Sequence, residues 1–117
     1  MKKEDLEINF VRYLSRKCKK NGSVYGEHYI KDKVARLRKL QQIFPITMLA
    51  NITDKNFFDI TDAVMKKFNT PIGTAKKTHY KYADYLVIVR LLYEMNNGGR
   101  QAQRYAYYAG IKVIQNN

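Results

Sequence analysis

Apolar residues recur every three or four positions in four stretches of this chain, and almost nowhere alternate with polar ones. That periodicity constrains the fold more than any other feature, because a 3.6-residue repeat builds helices and cannot line one face of a strand. Leu6, Phe10, Tyr13 or Leu14, and Cys18 mark the first stretch; Ile30, Val34, Leu37, Leu40 and Phe44 the second. Phe57, Ile60, Ala63 or Val64, and Phe68 mark the third; Tyr82, Tyr85 or Leu86, Val89, Leu92 and Met95 the fourth. Turn signals separate them: NGSVYG (21–26), Pro45, NTPIG (69–73) and Asn97-Gly98-Gly99. The expectation is an all-α chain with four main helices at about 4–19, 27–44, 54–68 and 76–96. Thr53 or Asp54 would cap the third. Leu14, Ile30, Val34, Leu37, Leu40, Ile60, Val64, Leu86, Val89 and Leu92 are the expected core. The stretch YLVIVRLLY (85–93) is rich enough in β-branched residues to compete as a strand.

Length and composition bound the function. With 117 residues there is room for one domain, and 45% hydrophobic content supports a real core. Residues 1–99 are read as that helical domain and 100–117 as a short C-terminal extension. The extension holds Tyr105, Tyr107, Tyr108, Ile111, Val113 and Ile114, too apolar for a solvated linker. It should dock, on its own domain or on a protein partner. Its deletion should lower stability or solubility, or abolish self-association, while leaving most nucleic-acid binding intact.

One cysteine and two histidines, His28 and His79, offer neither a disulfide framework nor a metal-ligand cluster, so no metal or cofactor is expected. The N-terminus MKKEDLEIN turns charged where the apolar core of a signal peptide should follow, and no apolar run is long enough for a membrane span. The expectation is a soluble protein of a reducing, cytoplasmic compartment with no membrane partner.

Charge is the most informative quantity. Twenty-two Lys and Arg against ten Asp and Glu give a net charge of +12 and a pI near 9.8. Nucleic acid is the leading partner, because its phosphates reward clustered cations by counterion release. An acidic protein surface would reward the same charge, and solubility alone is the bland alternative. On the second helix Lys31, Arg36, Arg38 and Lys39 fall opposite the apolar stripe, with Asp32 the nearby acid. In KKTHYKYADY (76–85) cations interleave with tyrosines, a pattern suited to phosphate and sugar contacts. The candidate DNA-binding residues are therefore Lys31, Arg36, Arg38, Lys39, Lys76, Lys77, His79 and Lys81. If the chain grips a duplex, the two groups should share one face.

No catalytic site is expected. Tyr105, Tyr107 and Tyr108 lack a neighbouring histidine for a nucleophilic-tyrosine chemistry, and Asp59 with Asp62 lacks partners. Cys18 reads as a small buried residue near the end of the first helix.

Three pieces carry a resemblance to a known family: FVRYLSRKCKKNGSVYGEHYIKDKVARLRKLQQIF (10–44), LANITDKNFFDITDAVMKKF (49–68) and KTHYKYADYLVIVRLLYEMNNG (77–98). In order, they are a helix, a Gly/Ser loop and a basic helix; a capped short helix; and a closing helix. This order resembles the core-binding domain of tyrosine recombinases of the phage integrase type, over about residues 6–98. The resemblance implies a four-helix, SAM-like bundle that holds duplex DNA beside a catalytic domain. Residues 100–117 are too few for such a domain. What it implies here is a non-catalytic DNA-gripping module, either a small regulator or the binding half of a larger enzyme. The alternative is a small phage- or mobile-element-encoded inhibitor that covers a host nucleic-acid enzyme or an acidic protein surface.

Overall fold

Why each helix stops where it does is decided by local turns, and these are plain in the computed structural model of the chain, which describes residues 2–17, 19, 22–74 and 76–98. These residues form helices α1 (Lys3–Arg16), α2 (Glu27–Ile43), α3 (Ile46–Leu49), α4 (Phe57–Lys67) and α5 (Tyr82–Asn96). A minimal antiparallel hairpin, β1 (Pro71–Ile72) with β2 (His79–Tyr80), lies between α4 and α5. The described residues are thus helical but for that hairpin and short turns, and the chain divides into two units, Met1–Ala50 and Asn51–Asn117.

In the first unit α1 packs on α2. Asp5 in the first turn of α1 accepts a hydrogen bond from the Lys2 backbone N–H at 3.3 Å, satisfying a donor that the helix leaves orphaned. Leu6, Phe10 and Leu14 from α1, and Val34, Leu37 and Leu40 from α2, are buried, each worth roughly 1.5–3 kcal/mol of transfer free energy. Gln41, also buried, donates its side-chain amide to the Lys3 carbonyl at 3.2 Å, so this buried polar group is satisfied. α1 ends at Arg16, short of the expected 19. Lys19 and Ser23 face each other across a reverse turn instead, Lys19 N–H donating to Ser23 O at 2.8 Å, with Gly22 at φ +86° where only glycine sits without strain. α2 ends as Pro45 requires: Phe44 is extended. The carbonyl of Pro45 then accepts from Met48 and Leu49, opening the single turn of α3. Four residues are too few to show a period, so this stretch reads as linker in the sequence.

In the second unit Thr53 and Asn56 lock a turn ahead of α4. The Thr53 N–H donates to Asn56 Oδ1 at 2.7 Å, and the Thr53 carbonyl accepts from Asn56 and Phe57. The expected cap signal is therefore used one turn early, and α4 begins at Phe57 behind Asn56. α4 packs on α5. Phe68 stacks on Tyr85 with centroids 3.9 Å apart, and Phe57 meets Tyr93 edge-on at 5.4 Å. The Tyr93 hydroxyl donates to Asp54. α5 is buried on most of its circumference, including Ile88, Leu91 and Glu94, and the strand alternative for 85–93 is excluded.

Two further expectations need correction. Residues 76–81 are not the start of the last helix. Pro71 pairs with Tyr80 and Ile72 with His79, and the base of the hairpin is closed by Lys81 N–H to Thr70 O and Tyr82 N–H to Phe68 O. Gly73, at φ +107°, brings the chain so close that an added Cβ would lie 2.6 Å from the Lys77 carbonyl oxygen. The loop signal of NTPIG thus extends through a return strand that has no apolar period of its own. Of the expected core, Ile30 is only half-buried, as it lies in the first turn of α2; the other nine residues are buried. Cys18 and residues 99–117, with the expectations placed on them, lie outside the described residues.

Candidate nucleic-acid interface

On α2 the expected cations stand on the surface, and three of the four are tied to a carboxylate. Lys31 bridges Glu27 one turn back at 3.0 Å, both side chains largely solvated. Arg36 pairs with Asp32, which also holds Lys33 at 3.3 Å. Arg38 sets its guanidinium fork on Glu7 of α1, Nε lying 3.1 Å from each carboxylate oxygen while Nη2 completes the clamp. Hydrogen bonding from Arg38 holds the Glu7 carboxyl below the usual carboxylate range, against a smaller upward push from burial. Burial also pushes Asp32 up, but the hydrogen bonds and charges of Lys33 and Arg36 outweigh it and its pKa is lowered. Lys39 is exposed and has no ion-pair partner among the described residues.

The same unit carries cations that the sequence reading did not select. From Ile8 to Gly26 there are five Lys or Arg and no acid. Lys17 Nζ lies 5.8 Å from the Tyr13 ring centre, and Lys19 5.7 Å from Tyr25. Tyr25 stacks on Tyr29 at 4.2 Å, and Lys33 covers Tyr29 at 4.9 Å. The ladder Lys19–Tyr25–Tyr29–Lys33 fixes the loop before α2 by cation–π contact. The available signal was the missing acid, which a count of cations alone overlooks.

In the second unit the sixteen residues from Lys66 to Lys81 hold five lysines and no Asp or Glu. Lys66 and Lys67 occupy the last turn of α4, where the helix dipole favours cations. Lys76, Lys77 and His79 are exposed on the hairpin, and Lys81 is half-buried with its ammonium 5.9 Å from the Phe68 ring centre. His79 thus sits on a strand and not at a helix start. None of Lys66, Lys67, Lys76, Lys77 and Lys81 has a carboxylate partner among the described residues. Beside the hairpin a groove of about 340 Å³ is lined by Asp62, Met65, Lys66, Asn69, Tyr80 and Tyr82. Tyr80 and Tyr82 stack with centroids 5.1 Å apart and planes 7° from parallel. Burial, with the neighbouring Tyr80 adding to it, raises the Tyr82 hydroxyl above its ordinary pKa.

Among the described residues no cluster of His, Cys, Asp or Glu is placed to hold a metal ion, and no helix is long and apolar enough to cross a membrane. Compared with known family models, curated proteins and solved structures, the chain matches none, so its functional reading rests on its own residues.

Proposed function

We propose that this chain is a non-catalytic DNA-binding module that holds duplex DNA through its basic surface, the role that the order of its sequence segments led us to expect. The observation that carries the reading is the acid-free lysine segment from Lys66 to Lys81, displayed on a hairpin and a helix end. A lysine with no carboxylate partner trades only water and counterions for a phosphate, and the released counterions drive association. An arginine already clamped by a carboxylate must first give up that partner and leave an acid facing the DNA. In the second unit the grip therefore falls mainly to Lys76, Lys77 and Lys81, with His79 adding a hydrogen bond to the backbone; in the first unit Lys39 is the α2 candidate left without a carboxylate partner among the described residues. Lys31, Arg36 and Arg38 are secondary, because Glu27, Asp32 and Glu7 already neutralise them.

Binding of a fully paired, arbitrary-sequence duplex at several salt concentrations tests this. The three lysine–phosphate contacts of Lys76, Lys77 and Lys81 give a log–log slope of roughly −2.7, from about −0.9 per contact. A slope near zero, or no duplex binding at low salt, overturns the reading. It would leave the basic surface to an acidic protein partner, as an inhibitor of a nucleic-acid enzyme would use it.

A further inference from the structure

We propose that the groove beside the hairpin receives one unpaired base of the bound DNA, and takes guanine in preference to thymine. This rests on the DNA-binding reading and names what one of its surfaces recognises.

The platform comes first. Tyr82 is 6% exposed and fixed in the first turn of α5, whereas Tyr80, on β2, is 39% exposed. The two rings are nearly parallel, so the buried ring backs one face of the exposed one. A tyrosine held in this way offers a flat surface at little further cost in conformational entropy, and every base has a face to lay on it. At about 340 Å³ the groove lies at the small end of ligand sites, with room for a single nucleotide unit.

Its polar lining then selects. Asp62 and Lys66 stand four apart on α4, a spacing that brings ion pairs together, yet they form none. The side chains of Asp62, Lys66 and Asn69 all lack a hydrogen-bond or ion-pair partner among the described residues. An ionised carboxylate only accepts hydrogen bonds and repels phosphate, so the Asp62 side of the groove faces a base edge. Lys66, with Lys67 beside it in sequence, supplies the cation for the attached phosphate. Guanine presents its ring N–H and exocyclic amine side by side, two donors that match one carboxylate. Thymine presents one donor between two carbonyl oxygens, which the carboxylate repels. In a paired duplex this edge is occupied by the complementary base, so the guest must be unpaired.

The test compares the full chain's affinity for a fully paired duplex with that for the same duplex carrying one unpaired guanine or one unpaired thymine. The guanine bulge should bind tighter than the paired duplex by roughly 5- to 150-fold, the range that one base–aromatic stack contributes. Tyr80→Ala should remove that gain without changing paired-duplex affinity, and Tyr80→Phe, which keeps the ring, should retain it. Asp62→Asn should abolish the preference for guanine over thymine. Circular dichroism verifies that each variant is folded. Equal affinity for bulged and paired duplexes overturns the base site and leaves the duplex grip standing. Absence of binding to any duplex overturns both.

Discussion

Truncating Lys76 and Lys77 together to Ala isolates the electrostatic contribution of the hairpin. Both side chains are exposed and have no partner among the described residues. The hairpin itself uses only the backbone at 77, whose N–H donates to the Thr74 carbonyl at 3.0 Å and whose oxygen lies under Gly73. The fold should therefore survive. If each lysine neutralises one phosphate, the salt slope flattens by about 1.8 units, from about 0.9 per contact. Between 50 and 200 mM salt the wild-type advantage over the variant then shrinks by roughly 12-fold, the fourfold change in salt raised to that power. Fluorescence anisotropy of a labelled duplex across this range reads both slopes, and an arbitrary second sequence should give the same difference, since phosphates carry no sequence information. Arg36→Ala should flatten the slope by less than one unit, because Asp32 already offsets that charge. An unchanged slope in a folded double variant would refute the argument and take the hairpin out of the interface. A loss larger for one sequence than another would show base contact in place of phosphate contact.

Leu37→Ala, at a fully buried position of α2, should cost about 2–5 kcal/mol in urea unfolding, with the spread set by how far α1 can settle into the cavity. Gly73→Ala meets both a left-handed φ and a backbone oxygen 2.6 Å away, so about 1–3 kcal/mol of strain should lower the melting temperature or open the hairpin. Glu7 and Asp32 have folded pKa values below their unfolded ones, so their contribution is present above the unfolded pKa. It should be lost as pH falls below the ordinary carboxylate range and through the lowered values. Glu7→Gln should be less stable than wild type at neutral pH, and the difference should close on acidification. A difference that stays constant with pH would show that the Arg38 clamp contributes nothing through charge.

The helices were legible wherever one side of a segment is apolar over three or more turns. Leu6, Phe10 and Leu14, and Val34, Leu37 and Leu40, are spaced so that only a helix can bury them together, and they are buried. α5 was legible as a helix even through its β-branched run, because its inward residues keep helical spacing beyond the length of any ordinary strand. The basic surface was legible in part. A net charge of +12 and the lysines around His79 are sequence facts, and they make nucleic acid the leading expectation, beside an acidic protein surface, before any fold is known.

The chain's tertiary structure decided what depends on residues far apart. Arg38 meets Glu7 across 31 positions, so no count along α2 could reveal that its charge is already matched. Tyr80 stacks on Tyr82 because a hairpin, not a helix, leads into α5, and two-residue strands carry too few side chains to leave a periodic trace. The sequence by itself determined the helical character, the core stripes and the basic excess, since each is a sum over neighbouring positions. Only the fold determined which cations stay unmatched and which aromatic ring faces the groove, since those depend on what the chain brings back alongside.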